Sequence, residues 1–237
     1  RGRSPSFGCL IIYMTQYKLI QADSLKFFQQ IADESLPVIV TGLPDMEELN
    51  LSDVDEYLDW FMKTADLLFQ KVHPNGYVIL IQTDRKKNGQ WIDKSFYLTQ
   101  AAHANDFHLI WHKIALNRPT DSTNLHRPTY SHVLGYTKNG KPGAAFPDTM
   151  MAGKRLYANA TPLNVLEYVM EFLQNVKLPT SSKFPQITDP FVGQGSVIYM
   201  ARQFGFTSLG IDIDKQQLQI ANKFLQGERP GGAPLPL

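Results

Sequence analysis

A single cysteine, Cys9, is all the thiol chemistry that 237 residues contain. One thiol can neither close a disulfide within the chain nor assemble a thiolate metal site, so a disulfide scaffold is excluded and a reducing, intracellular setting is expected. Long apolar runs are missing too: no stretch approaches the roughly 18 residues that span a bilayer. The run Cys9–Met14 is too short for the core of a signal peptide, so neither a membrane nor a secretory role is expected. The six histidines include no two-histidine-plus-carboxylate spacing, so no metal is expected, and no Ser/His/Asp or Cys/His constellation for nucleophilic catalysis can be argued. What is present is ordinary: 43% hydrophobic, 11% aromatic and 19% charged residues are the proportions of a chain with a core, which leaves out disorder, collagen-like repeats and coiled coil. At about 150 residues per domain, the length suits one compact body.

The net charge of +1 conceals a polarity. Residues 85–155 hold eleven Lys/Arg against four Asp, whereas the rest of the chain holds twelve Lys/Arg against eighteen Asp/Glu. A basic middle third between acidic flanks is the footprint of a polyanion site if those residues share a face, and a set of scattered solvated cations if they do not. Arg85, Lys86, Lys87, Arg118 and Arg127 are the candidate nucleic-acid contacts.

Strand and helix signals alternate, the pattern of a parallel α/β sheet. Strands are predicted at Tyr17–Gln21, Pro37–Thr41, Tyr77–Gln82, Phe107–Leu116, Tyr130–Thr137, Pro185–Thr188 and Thr207–Ile211. Helices are predicted at Ser24–Ala32 with Ser24 as cap, Leu51–Val72 with Ser52 as cap, Ser95–Ala104, Leu163–Val176, Val197–Phe204 and Lys215–Leu225, and His73–Gly76 reads as a turn. The apolar stripe of 51–72 is core or, alternatively, a dimer face. Residues 1–14 and 227–237 lack periodicity and are expected to be disordered tails, which leaves 15–226 as a single domain. Loops 117–128 and 139–160 are long for a compact domain, and both lie in the basic third.

The most informative segment is a strand ending at Asp189 that turns through Gly193-Gln194-Gly195 into a helix. Such a turn aims backbone N–H groups and a positive helix end at a ligand, and the missing Cβ atoms let it come close. A Gly-x-Gly turn alone is weak. The next strand, however, ends in Gly210-Ile211-Asp212, and a carboxylate some 20 residues on is where nucleotide-type folds hold two ribose hydroxyls. A dinucleotide site is disfavoured, because Ile198 stands where a third glycine would be.

Asp-Pro-Phe-Val-Gly-Gln-Gly-Ser at 189–196, followed by Gly-Ile-Asp-Ile-Asp at 210–214, resembles motifs of the amino methyltransferases that use S-adenosylmethionine. Those motifs stand near the C-terminus here, the order of the β-class, circularly permuted N4-cytosine and N6-adenine DNA methyltransferases. KLIQADSL, VIVTGLPD and RPTYSHVLGYTK resemble further strands of that family, so the likeness covers about residues 17–226. It implies a Rossmann-like class I methyltransferase fold: α/β, with a seven-strand, mostly parallel sheet, one antiparallel strand and permuted motif order. It implies S-adenosylmethionine as cofactor, with Asp189, Pro190, Phe191, Gly193, Gly195 and Ser196 around its methionine part and Asp212 on the ribose. Asp23 falls where the family brings an acidic residue to the adenine, and Thr161 where a segment meets the methionine carboxylate; both residues could equally be helix caps.

The chain departs from the family at the catalytic motif. Where exocyclic-amine methyltransferases carry Ser/Asp/Asn-Pro-Pro-aromatic, this chain has Gly42-Leu43-Pro44-Asp45. An aniline-like amine delocalises its lone pair into the ring, so methyl transfer needs acceptors that draw its hydrogens out of plane. Gly42 lacks the side-chain acceptor, Leu43 keeps the carbonyl, and Asp45 replaces the aromatic that stacks on the base. A carboxylate can instead accept from a donor edge or act as a base, or it can merely cap a helix. Asp84 is a further pocket candidate, Trp91 and Trp111 are stacking or core residues, and His112 and His132 read as strand residues. Residues 138–160 are too few for a target-recognition module of at least about 50 residues. Methylation of a nucleobase nitrogen, in RNA slightly ahead of DNA, is therefore the expected activity, with a second protein subunit as an alternative source of recognition. A non-catalytic binding subunit of the same fold and a small-molecule methyltransferase are the rival readings.

Overall fold

The computed structural model describes residues 16–143, 146–157 and 159–227. The tails expected at 1–14 and 227–237, apart from Gly227, lie outside the described residues. Along the chain run β1 (Tyr17–Gln21), α1 (Ser24–Gln30), β2 (Leu36–Thr41), α2 (Val54–Lys71), β3 (Val72–Gln82), β4 (Arg85–Lys87), β5 (Gln90–Ile92) and α3 (Lys94–Ala104). They are followed by β6 (His108–Leu116), β7 (Tyr130–Thr137), β8 (Thr149–Met151), α4 (Leu163–Gln174), β9 (Ile187–Asp189), α5 (Ser196–Gln203), β10 (Ser208–Asp212) and α6 (Lys215–Leu225).

One sheet takes the order β1-β10-β9-β2-β3-β7-β6-β8, and β4 and β5 form a separate two-stranded hairpin. The seven expected strands are all in the large sheet. β7 runs antiparallel to both β3 and β6, as expected of one strand near an edge. The eighth strand, β8, pairs parallel to β6 over three residues, too short a run to show any alternation in the sequence. The hairpin turns at Asn88-Gly89, with φ of 50° and 76°, the positive pair that a two-residue hairpin loop requires.

β2 and β3 are apolar without alternation because both faces of the sheet are covered. Ile39, Val78 and Leu80 face a core completed by Phe61, Leu68 and Phe69 of α2 and by α3. Val38, Val40, Ile79 and Ile81 face the opposite core, made with Val165, Val169 and Phe172 of α4 and Val197 of α5. The apolar stripe of α2 is thus core. Two expected caps move by one residue. Asp23, not Ser24, caps α1, accepting from Leu25 N at 3.0 Å, and Asp53, not Ser52, caps α2, accepting from Glu56 N at 2.9 Å. A carboxylate is as good a cap as a hydroxyl and also suits the positive helix end.

The turn expected at His73–Gly76 lies inside β3 rather than before it. Leu36 pairs with Val72 and Val38 with Tyr77, so four residues bow out opposite Pro37, which has no N–H to give the ladder. Thr137 Oγ1 holds this bulge by donating to the Gly76 carbonyl at 2.7 Å. A Cβ on Gly76 would stand 2.2 Å from the Pro37 oxygen and 2.9 Å from that of His73, both backbone atoms that cannot swing aside. Gly76→Ala should therefore lower unfolding stability by about 1–3 kcal/mol, read as a lower urea midpoint at unchanged m-value; an unaltered midpoint would show that the bulge relaxes freely.

Candidate active site

The parallel strands β10, β9, β2 and β3 end on one edge of the sheet. The chain leaves β9 toward β10 and leaves β2 toward β3, so neighbouring connections diverge between β9 and β2, the place where open α/β sheets take ligands. A cleft of about 1030 Å³ opens there. Asp23, Thr161, Asp189, Phe191, Gly193, Ser196 and Asp212 line one part of it, and Gly42, Leu43, Pro44 and Asp45 line another. Pro190 and Gly195 are buried just behind that lining.

The glycine turn is held by its surroundings at several backbone atoms. Gly193 N donates to Asp212 Oδ2 at 2.9 Å, and Asp214 N donates to Asp212 Oδ1 at 2.9 Å, so both carboxylate oxygens are oriented while keeping lone pairs free. Gln194 N donates to the Tyr157 hydroxyl at 3.1 Å, and Ser24 Oγ donates to the Pro190 carbonyl. Gly193 and Gly195 have φ of 49° and 89°, and Gly195 sets the first turn of α5 toward the cleft. Asp189 accepts from Thr41 Oγ1 at 2.7 Å and from Phe191 N at 3.1 Å. Burial, aided by the nearby Asp212 charge, pushes its carboxyl up to about 7 in spite of those two donors. Asp23 serves as a helix cap and also borders the cleft, so its two possible roles coincide in space.

Gly42 occupies a site with no room for a side chain, because a Cβ there would lie 2.8 Å from the Ile81 carbonyl oxygen. The Leu43 carbonyl accepts from Gln82 Nε2 at 3.0 Å, and the Pro44 carbonyl accepts from Tyr57 Oη at 3.2 Å. Asp45 does not cap a helix. Residues 46–50 form turns, and the Asp45 carboxylate is instead bound by Lys94 Nζ and by Arg127 Nη2, the latter at 2.8 Å. Lys94 is fully buried, with its ammonium 5.5 Å from the Tyr57 ring centroid and 5.9 Å from that of Phe61. Burial draws its pKa below the ordinary lysine value, and Asp45 opposes that shift.

Asp84 is no pocket residue. It lies walled in behind the cleft, where it accepts from Trp91 Nε1 at 2.9 Å, Lys94 N at 2.9 Å and His132 Nε2 at 3.0 Å. Burial alone would raise its carboxyl; the His132 hydrogen bond and charge, with the other donors, hold it below the usual range. His132 is in turn 2.8 Å from His112, and Trp111 packs in the core against Phe146 and Phe172. Among the described residues no three His, Cys, Asp or Glu side chains are placed to hold a metal ion.

The basic third does not present a single charged face. Lys94 and Lys113 are buried in ion pairs with Asp45 and Asp148, and Arg85 is paired with Glu47. Arg127 borders the cleft, Lys86 and Lys87 lie on the β4–β5 hairpin beside it, and Arg118 is exposed in the loop that leads to Arg127. Sequence reasoning missed Lys94, Gln82, Trp60 and Tyr157. Trp60 and Tyr157 line the cleft from α2 and from the loop after β8, and their residue types carried no motif that could have announced it.

No family model matches the chain. Among curated proteins it is similar to the type II methyltransferase M2.DpnII of Streptococcus pneumoniae, 35% identical over 247 residues that cover 89% of this chain and 90% of that protein. It is also similar to the type II methyltransferase M.HpaI of Haemophilus parainfluenzae, 19% identical over 90% of this chain and 76% of that one. Among solved structures, a DNA modification methylase from Thermus thermophilus superposes with a TM-score of 0.69 at 16% identity, covering 91% of this chain and 97% of that one. The same methylase complexed with S-adenosyl-L-methionine gives a TM-score of 0.66, and the cytosine-N4-specific PvuII DNA methyltransferase gives 0.63 at 15% identity over 90% and 94% of the two chains. The structural likenesses establish the fold, and the relationship to M2.DpnII, joined to the glycine turn and Asp212 at the cleft, establishes the family: the chain belongs to the S-adenosylmethionine-dependent type II methyltransferases, the amino methyltransferases of the N4-cytosine and N6-adenine class.

Proposed function

We propose that this protein, through one domain spanning 15–226, transfers a methyl group from S-adenosylmethionine to the exocyclic amino nitrogen of a base in DNA. One observation carries the reading: the glycine turn with Asp212 and the segment Gly42–Asp45 line the same cleft. DNA replaces the RNA preference that the short 138–160 segment had suggested. A relative named a type II methyltransferase matches this chain over 90% of its own length, so the missing insert does not speak for RNA. Sequence recognition falls to the basic hairpin and loop, with a second protein subunit as the other source. A DNA substrate also implies an intracellular setting.

The residues at the cleft suit the cofactor. Gly193 leaves open space where a Cβ would meet only the Tyr157 hydroxyl, at 3.5 Å. Ser196 Oγ is buried beside the Tyr157 hydroxyl at the edge of the cleft, and Asp189, Asp212 and Asp23 supply negative charge for a sulfonium and an ammonium. When bound, the cofactor supplies an electrophilic sulfonium methyl. Asp212 would accept from its ribose hydroxyls, the turn and Ser196 would hold its methionine part, and Thr161 would meet its carboxylate. On the acceptor side the Leu43 carbonyl, oriented by Gln82, would accept a hydrogen bond from the target amine and turn its lone pair toward the methyl; the thioether S-adenosylhomocysteine is the leaving group, and the surplus amine proton passes to solvent. Asp45 cannot stack on a base. Held by Lys94 and Arg127, it presents a fixed carboxylate edge to the amino group.

The reading is tested by incubating the protein with trideuteromethyl-labelled cofactor and unmethylated duplex DNA, with RNA in parallel, and digesting both to nucleosides for mass spectrometry. Labelled N4-methylcytosine or N6-methyladenine from DNA is expected; label in RNA alone, or none with the cofactor bound, contradicts it. Asp45→Asn should strongly reduce transfer. It should also destabilise the fold by about 3 kcal/mol by stranding the buried Lys94 ammonium, and adding Lys94→Met should restore melting temperature without restoring transfer.

Asp189 makes binding pH-dependent. Its folded-state pKa near 7 lies above that of an unfolded carboxyl, so its contribution to stability is present at low pH and is lost as pH rises through about 7. The cationic cofactor favours the ionised form. Affinity should therefore rise between about pH 6 and about pH 8 with release of a proton, read by calorimetry in buffers of different ionisation enthalpy. Asp189→Asn should flatten that profile, and a wild-type profile already flat would remove Asp189 from cofactor binding.

A further inference from the structure

Beside the cleft lies a second concavity, a groove of about 380 Å³ between the β4–β5 hairpin and the loop 124–127, lined by Lys86, Asn88, Gly89, Trp91, Leu125 and His126 among others. Its volume is at the small end of ligand pockets, which run about 300–1,000 Å³. Trp91 is 48% exposed, yet its indole edge is tied to Asp84 at 2.9 Å, and Asp84 is itself fixed by Lys94 N and His132. A tryptophan that merely covers a hairpin needs no buried carboxylate to set its rotamer. Here the anchor holds the ring in one orientation while leaving half of it in solvent.

The solvent-facing lining carries charge of one sign, the one carboxylate at the ring being the buried Asp84 on its N–H edge. Among the described residues no Asp or Glu lines the groove. Lys86 Nζ lies 5.0 Å from the indole centroid and donates to the Asn124 carbonyl at 3.1 Å, and Lys86 N donates to the His126 carbonyl at 3.0 Å. The hairpin and the loop are thereby one unit. Lys87 follows on the same strand, and Arg127, next to His126, borders the main cleft and binds Asp45. The groove is thus linked through His126-Arg127 to the cleft proposed to hold the target base. An exposed rigid aromatic beside a lysine, with no opposing carboxylate among the described residues of its lining, is the combination that binds the stacked bases and phosphates of a nucleic-acid strand.

We propose that this groove is a strand-binding subsite: Trp91 stacks an unpaired base of the substrate strand beside the target nucleotide, with Lys86 and Lys87 on the adjoining phosphates. This rests on the DNA reading above and adds to it a recognition surface outside the methyl-transfer cleft. The fixed indole would reward a base for leaving its own stack, and so would help hold open the strand from which the target is taken.

The test uses the whole protein and two probes, a single-stranded oligothymidylate of about 16 nucleotides and a duplex of random sequence, with binding followed by anisotropy over a range of salt. Trp91→Ala should weaken oligothymidylate binding roughly 5- to 100-fold without changing the slope of log affinity against log salt, because stacking releases no counterions. Trp91→Phe, which keeps an aromatic face but loses the N–H that Asp84 anchors, should lose less affinity than Trp91→Ala, and both variants should bind S-adenosylhomocysteine as the wild type does. Lys86→Glu with Lys87→Glu should instead flatten the salt slope. Wild-type-like binding by Trp91→Ala overturns the groove and leaves the DNA reading standing. Loss of S-adenosylhomocysteine binding in both Trp91 variants also overturns it, by making Trp91 a structural residue. Failure of the wild type to bind either probe at low salt overturns both readings together.

Discussion

Thr41 and Asp189 meet at 2.7 Å across 148 residues of chain. That contact closes the parallel pairing of β2 with β9, in which Val38 lies against Ile187 and Ile39 against Thr188. Everything functional hangs on this register. β9 delivers the glycine turn and β2 delivers Gly42–Asp45, and because the strands are parallel both segments emerge on the same edge. A slip of one residue would turn the buried sets of β2 to opposite faces and carry Gly42 away from Ile81. The apolar side chains on both faces make such a slip costly, so the cores on either side of the sheet hold the site in register.

Around that frame the segment after β2 is held in a network of charge. Asp45 is bound by a buried lysine and by an arginine on a loop, while Glu47 two residues on takes Arg85. Buried ion pairs contribute little net stability relative to well-packed apolar groups, yet removing one partner is expensive. The network therefore acts as a set of mutual constraints, linking the residues after β2 to α3, to the hairpin and to the loop carrying Arg127. Asp84 plays the matching role from beneath, since it joins the start of α3, the indole of Trp91 and His132 of β7. The two carboxylates divide the work: Asp45 faces the cleft, and Asp84 orients the parts around it.

What the sequence disclosed follows the range of the interactions. The parallel strands, α2 and the turn from Asp189 to Ser196 were legible because each rests on residues close in the chain: apolar runs, helical spacing, glycines next to a helix start. The pairing of Asp45 with Lys94 spans 49 residues, and no local pattern distinguishes an aspartate that will bind a buried lysine from one that will cap a helix. Asp84 was misread for the same reason. It stands at a strand end on the correct edge, but the three donors that enclose it come from β5, α3 and β7. The bulge at His73–Gly76 shows the opposite case, in which a true local signal, Pro-Asn-Gly, produced an irregularity within a strand because Val72 had already joined β2. Asn88-Gly89 is a hairpin signal that sequence reasoning passed over, because the strands flanking it are only three residues long.

The central claim is that the β2–β9 junction sets the cofactor and the acceptor segment face to face. A crystal structure with S-adenosylhomocysteine tests it most directly. The account predicts the ribose hydroxyls on Asp212, the methionine part along Gly193–Ser196 and the sulfur facing the Leu43 carbonyl. A ligand bound elsewhere, or with its sulfur turned away from Gly42–Asp45, would contradict it.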